Sequence, residues 1–252
     1  MRKIMKNAIY TFVLLLFGVS TALLGYLHFF AAGDRNLSGE WTAQLDMTQR
    51  AAVAALSWLQ EIEGTAVSLE EIESSMQGLT IQVNLTMEQT ERMEGVFQCE
   101  MRPDSYETCR TAAYEAFAGN FRTLLGERLR MAGYEGSTDQ DAVEALVAEE
   151  FGMSTVSYLM AYGPALLPSM EELQAWYAGS GVYEAGEDTL IRRFEEEGVV
   201  TTREEYYVRK GGSLILTGEA VEAAAVDAGL SFDRYPVVYT LAPQPQLVTS
   251  AQ

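Results

Sequence analysis

The chain has 252 residues, 48% of them hydrophobic and 21% charged, which is enough for one sizeable core and too apolar for general disorder. Asp and Glu total 36 against 17 Lys and Arg, a formal charge of -19. A surface of that sign repels phosphate backbones and offers no polybasic patch to anionic lipid headgroups, so nucleic-acid partners are excluded.

The charge is unevenly placed. Arg2, Lys3 and Lys6 stand in the first seven residues, and every acidic residue lies after position 33. From Ala8 to Gly33 nothing carries a formal charge, and residues 8–30 are mostly Leu, Phe, Val and Ala. As a helix that stretch spans about 34 Å, enough to cross a bilayer. The preceding basic residues keep 1–7 cytoplasmic and place the rest of the chain outside the cell, so the protein is expected in the cell membrane with one span. Tyr10 and Tyr26 lie near the two interfaces. The competing reading is a cleaved signal peptide, for which Ser20-Thr21-Ala22 offers small residues. The apolar run continues through Leu23, Leu24 and Leu27 to Phe30, and a cut after Ala32 would put bulky Phe30 where a small residue is required. An uncleaved anchor is the expectation. His28, the only histidine, falls at the outer end of this segment, where histidines are ordinarily solvated.

Residues 31–39 read as a linker, 40–242 as one extracytoplasmic domain and 243–252, rich in Pro, Gln and Ser, as a fraying tail. Glu40 to Met47 alternates, with Trp41, Ala43, Leu45 and Met47 on one face, and predicts a half-buried strand. Thr48 to Ile62 has helical spacing, its apolar stripe being Val53, Leu56, Leu59 and Ile62. Ser68 with Glu71 forms a capping box for a second short helix, and the two fill a helical insertion of about 48–76. Leu79 to Met87 and Gly95 to Met101 alternate again and predict an antiparallel pair joined across the polar residues 89–94. Asp104 and Glu107 then cap a long helix, about 105–131, with the stripe Cys109, Ala113, Phe117, Phe121 and Leu124. Thr138 with Asp141 caps another through Phe151, and Ser169 with Glu172 a last one ending near Gly179. These helices make a second insertion, about 104–178. Gly181 to Phe194 (bent at Gly186), Val199 to Arg209, Ser213 to Leu216 and Pro236 to Leu241 return to strands, with Gly211-Gly212 as a hairpin turn. Gly39-Glu40-Trp41, Gly95-Val96-Phe97 and Gly181-Val182-Tyr183 repeat a Gly-x-aromatic opening at irregular spacing, which reads as a glycine turn followed by a core aromatic. The expected fold is therefore α+β: a transmembrane helix, then an antiparallel β-meander of seven or eight strands interrupted by two helical insertions.

Leu37-Ser38-Gly39-Glu40-Trp41 opening the first strand resembles the Gly-x-Trp start of lipocalin-like, calycin-type proteins. The resemblance covers five residues and the strand rhythm of about 100 more. It implies a barrel or half-barrel with an apolar ligand cavity, near which Trp41, Phe97 and Tyr183 would lie. Large helical insertions depart from that family, and its later arginine, which packs over the tryptophan, has no clear counterpart in the sequence. The general character also resembles single-pass envelope proteins of Gram-positive gut bacteria.

The chemistry available is narrow. Without histidine beyond the membrane segment, a Ser-His-Asp triad, a Cys-His pair and a histidine-ligated zinc site cannot be built in the domain. There is no Walker motif, and Gly179-Ser180-Gly181 lacks the third glycine of a dinucleotide loop. No cofactor is called for. Lys210 and Ser213 flank a hairpin, where side chains are solvated. The acid clusters Glu61/Glu63, Glu70/Glu71/Glu73, Glu149/Glu150 and Glu195–Glu197 lie at helix starts, helix faces and a turn. Asp139 and Asp141 begin like an EF-hand loop, but Val143 and Glu144 break it. Cys99 and Cys109, one on a strand's inward face and the other on the next helix's apolar stripe, are placed for a disulfide, with two buried free thiols as the alternative. The uncharged stretch 151–170 reads as buried helix and loop, or as an apolar groove built by Val156, Leu159, Met160 and Tyr162 that receives a partner. Together these features favour a membrane-anchored, non-catalytic binding or structural protein of the envelope. A carrier of a small apolar molecule comes second and a carboxylate hydrolase third.

Overall fold

A computed structural model describes residues 36–61, 67–196, 198–218 and 234–242. The expected membrane segment at 8–30, with His28, and the tail from 243 lie outside the described residues. Among the described residues no helix is long and apolar enough to cross a membrane.

Strict alternation in the sequence becomes eight strands: β1 (Gly39–Asp46), β2 (Thr80–Glu91), β3 (Glu94–Met101), β4 (Gly179–Ala185), β5 (Thr189–Glu196), β6 (Val199–Lys210), β7 (Ser213–Thr217) and β8 (Val237–Leu241). Each pairs antiparallel with the next, and β8 returns to β1, Ala43 opposite Tyr239, so the meander closes into a barrel. The residues of one parity, such as Trp41, Val83, Phe97 and Leu214, turn inward and are buried. Among the described residues six helices interrupt the sheet in two groups. α1 (Thr48–Gln60) and α2 (Leu69–Ser75) join β1 to β2; α3 (Pro103–Met131), α4 (Gln140–Phe151), α5 (Thr155–Tyr162) and α6 (Met170–Tyr177) join β3 to β4.

The pairing sorts the connections between the two rims. The tight turns β2–β3, β4–β5 and β6–β7 share one rim with the start of β1 and the end of β8. Both helical groups, the β5–β6 turn and the β7–β8 connection belong to the other.

Local chemistry explains most element boundaries. Ser68 and Ser169 accept from the amides of Glu71 and Glu172, whose carboxylates reach back to the serine amides, so both expected capping boxes form. These hydrogen bonds hold both carboxyl groups below the ordinary glutamate range. Elsewhere the caps differ from expectation. α4 is capped by Asp139, which accepts from Ala142 N at 2.8 Å, rather than by Thr138. α3 starts at Pro103 with Arg102 as its N-cap residue and no side-chain cap; Asp104 lies inside the first turn and pairs with Arg102 at 2.9 Å. α1 buries Ala51, Ala52, Ala55 and Leu59 and leaves Val53 44% exposed. The short alanines let that face lie close, and Trp58 contacts Phe117 and Phe121 of α3 with ring centroids 5.7 Å apart in each case.

Two of the three Gly-x-aromatic openings have a shared cause, whereas Gly39 pairs with Met87 and lies against Leu241. Across β3 and β4, Gly95 stands opposite Tyr183 and Gly181 opposite Phe97. Each inward ring thus lies over a neighbour with no side chain. A Cβ at Gly95 would meet the Tyr183 ring at 2.6 Å, and one at Gly181 would meet the Arg193 carbonyl oxygen at 1.9 Å.

Candidate functional site

The barrel holds an ion pair inside its apolar shell. On β5 the inward series is Leu190, Arg192, Phe194, and on β6 Glu205 and Tyr207 follow the same rule. Leu190 pairs with Glu205 and Arg192 with Arg203, so Arg192 and Glu205 are diagonal neighbours. The guanidinium donates from Nε to Glu205 Oε2 and from Nη2 to Oε1, both at 2.6 Å. The Tyr235 hydroxyl donates to Oε1 at 2.5 Å. Arg192 is 4% exposed and Glu205 1%. Burial alone would lower the Arg192 pKa, but the Glu205 charge and hydrogen bonds more than reverse this and hold it protonated. The guanidinium also lies 5.4 Å from the Phe97 ring centroid and 5.2 Å from that of Phe194, and these rings meet edge to face.

Arg203 extends the cluster to the helix-bearing rim. It stacks on Phe194 at 4.2 Å and donates to the Trp176 and Ala175 carbonyls at 2.6 and 2.8 Å. It therefore ties the C-terminal end of α6, where cations are favoured, to β6. Tyr239 lies at the centre, its hydroxyl 3.9 Å from Cys99 Sγ, and burial raises the pKa of both groups. The space left over is small. A void of about 10 Å³, the room of one water molecule, is bordered by Trp176, Tyr177, Arg192, Arg234, Tyr235 and Tyr239. Two larger hollows open to solvent: about 190 Å³ beside Val96 and Val182, and about 270 Å³ beside Thr80, Ser105 and Cys109.

Near the other rim Trp41 donates from Nε1 to the Leu37 carbonyl at 2.9 Å, and the Arg209 guanidinium lies 5.4 Å from its ring centroid. An arginine of β6 thus lies against the tryptophan of β1. We expect Arg209→Ala to cost about 1–2 kcal/mol. In a Trp58→Phe/Trp176→Phe background, Trp41 emission should shift to the red; unchanged emission would mean that Arg209 does not cover the ring.

The other predicted residues fall as follows. Trp41, Phe97 and Tyr183 all face the barrel interior and are buried. Cys99 and Cys109 are both free thiols, which corrects the expected disulfide. Cys99 turns into the barrel toward Tyr239, whereas Cys109 lies on α3 beside the Leu79–Thr80 entry to β2. The strand and helix stripes were each read correctly as buried, but they bury against different partners. Of the groove residues, Leu159 is core, Val156 and Met160 pack partly against it, and only Tyr162 is exposed, so the four do not line a common groove. Lys210 and Ser213 pair across the Gly211-Gly212 turn, with Lys210 exposed.

Sequence reading missed Arg192, Glu205, Tyr235 and Arg209. The available signal was parity: in β6 the outward residues Tyr206 and Val208 are apolar, while Arg203, Glu205 and Arg209 share the inward face with Tyr207. Among the described residues Glu205 is the only buried carboxylate, and no three His, Cys, Asp or Glu side chains gather as metal ligands. A carboxylate engaged by two guanidinium N–H groups and a phenol serves as a structural tie.

Burial also gives the domain an alkaline limit. It pushes the Cys109 thiol up to about 11, with the Asp46 charge adding to the effect, and the Tyr177 phenol up to about 12. In the unfolded chain these groups ionise near about 8.5 and 10. Above about pH 8.5 the unfolded state therefore releases protons that the folded state retains, and stability falls as pH rises toward 12. Melting temperatures between about pH 7 and 10.5 should decline, and Cys109→Ala should flatten the first part of that decline. A flat profile in the unmodified protein would contradict the assignment.

No family model matches the chain, and no curated protein or solved structure is significantly similar to it.

Proposed function

We propose that the protein is a membrane-anchored, extracytoplasmic docking protein of the cell envelope, without catalysis of its own. The observation that carries this reading is the filled barrel. A carrier of a small organic molecule needs a cavity of about 300 Å³ or more. Here the interior is occupied by Trp41, Phe97, Tyr183 and the Arg192–Glu205 pair, with a void of about 10 Å³. Binding then falls to the outer surface, and the barrel serves as a rigid mount. The N-terminal segment supplies the attachment in this reading, and its basic start sets the direction. The eight-stranded closure, the Gly39-Glu40-Trp41 opening and the Arg209–Trp41 stack support kinship with lipocalin-like barrels, in a form whose interior has been given over to packing. Hydrolysis by two carboxylates has less support, since a facing pair is needed and Glu205 is already tied.

The test uses the full-length protein in neutral detergent, exposed to a lipid and metabolite extract of its source cells and then examined by native mass spectrometry. The bare mass is expected. In intact cells, external protease should remove the C-terminal domain and spare residues 1–7, and short-range cross-linking should join the domain to another protein. A reproducible small-molecule adduct that Trp41→Ala abolishes would instead establish a carrier. Protection from external protease would overturn the topology.

A further inference from the structure

Three aromatic rings form a continuous row on the helical layer. Phe151 ends α4, and Tyr158 and Tyr162 stand one turn apart on α5. Their centroids are 4.6 Å apart from Phe151 to Tyr158 and 5.4 Å from Tyr158 to Tyr162. The outer members are well exposed, Phe151 by 49% and Tyr162 by 66%, while Tyr158 is half-buried between them. Rings in contact with one another at tilts of 42° and 44°, with the outer two open to solvent, form an exposed apolar patch.

The segment that carries the row is acidic, and Arg122 of α3, which reaches α4, is paired there with Glu144 at 2.7 Å. Between Arg130 and Arg192 there is no lysine or arginine, while eleven carboxylates occur. Two of these, Glu149 and Glu150, directly precede Phe151 and are exposed. We propose that this row is a docking surface for a basic polypeptide segment, whose Arg or Lys side chains stack on the Phe151 and Tyr162 rings while neighbouring carboxylates receive their charge. Ring faces attract guanidinium and ammonium groups, and a basic segment complements the acidic surroundings. The same charge argument disfavours the other occupants. A second copy of this chain would bring -19 against -19, and an anionic membrane surface would be repelled likewise. This assignment rests on the docking reading above and names the chemistry of the partner for it.

The probe is a fluorescein-labelled 12-residue peptide alternating Arg and Ala, with a control peptide carrying Glu in place of Arg. Full-length protein in phosphatidylcholine nanodiscs is titrated at about physiological salt and followed by fluorescence anisotropy. The basic peptide should bind and the acidic one should not. Phe151→Ala/Tyr162→Ala should weaken binding at least about tenfold, and Tyr162→Ala alone several-fold. Val182→Ser/Val238→Ser, which alters exposed residues of the barrel wall, should leave it unchanged. Glu149→Gln/Glu150→Gln should reduce affinity and flatten its dependence on salt. Equal binding by the double aromatic variant, at an unchanged melting temperature, would overturn the surface. So would failure of the basic peptide to bind at about 1 mM. If cross-linking in intact cells still joins the domain to a partner, such a failure removes this surface and leaves the docking role standing; if cross-linking also fails, the role itself is lost.

Discussion

Glu205→Gln is expected to destabilise the barrel by about 3–5 kcal/mol, although the substitution changes neither the volume nor the outline of the side chain. The cost comes from what remains: an Arg192 charge that is 4% exposed, with no counter-charge against it. The amide also replaces one acceptor oxygen by an N–H₂ group: at the Oε2 position Arg192 Nε loses its acceptor, and at the Oε1 position Arg192 Nη2 and the Tyr235 hydroxyl both do. Urea unfolding of the full-length protein in neutral detergent measures the effect. The informative comparison is Arg192→Met/Glu205→Leu, which removes both charges and fills the space with apolar atoms. It should recover most of the lost stability and can exceed the starting protein, because the desolvation of two ions is no longer required. If the double variant is as unstable as the single one, the pair is holding more than itself, and the tie from Tyr235 into β8 becomes the principal contribution. If Glu205→Gln costs under about 1 kcal/mol, water reaches the pair and the interior is not the sealed core described above.

Gly181→Ala should be at least as damaging, about 3 kcal/mol or more, and is expected to reduce the yield of folded protein. A single added methyl would sit 1.9 Å from the Arg193 carbonyl oxygen and 2.9 Å from its carbon, and these are backbone atoms that no side-chain rotation can move. Relief requires β4 to separate from β5. Gly95→Ala presses on the Glu88 carbonyl at 2.2 Å and on the Tyr183 ring, so it tests the reciprocal half of the same arrangement. Gly212→Ala is the control, since nothing lies within 4 Å of its added carbon. Chemical denaturation of the three variants should rank Gly212→Ala nearest the parent protein. A tolerated Gly181→Ala would show that the β4–β5 spacing is softer than the register implies.

These two sites differ in how far they can be read from the sequence. Period-two alternation in 40–47, 79–87 and 95–101 marked the inward faces of β1, β2 and β3, because those strands alternate apolar with polar, outward Val96 being the exception. Both capping boxes were legible for a similar reason: they are local, and their signal spans four residues. The Gly-x-aromatic openings were visible as a pattern, but the cause of two of them is a pairing between β3 and β4, which 77 residues of helix and loop separate from Met101 to Gly179. The ion pair is harder still. Its members are 13 residues apart, and nothing but the β5–β6 register makes them diagonal neighbours. In β6 Tyr206 and Val208 face out while Arg203, Glu205 and Arg209 face in, so the strand carries no clean apolar face to read. Of the α1 stripe, Leu59 is buried and Leu56 packs partly against the core, while Val53 is exposed and Ile62 lies outside the described residues. Alanines complete the buried face, since the helix lies too close to admit larger side chains. The aromatic row was present in an uncharged stretch that periodicity assigned to burial, and exposure of its two outer rings is a property of the assembled helices.

The position of both strand ends at one rim has a consequence for engineering the molecule. β8 runs beside β1, and the Ala242 amide donates to the Glu40 carbonyl at 2.8 Å. A short linker can therefore join residue 242 to residue 36, and new ends can be cut at Gly198 in the β5–β6 turn. Such a circular permutant keeps every strand neighbour and every inward side chain, but its ends now emerge beside the helices. Fused behind the same N-terminal segment, it would stand inverted with respect to the attachment point, its tight turns outermost and its helical layer turned inward. Two proteins of identical surface and opposite polarity would then separate what this domain touches from which way it faces.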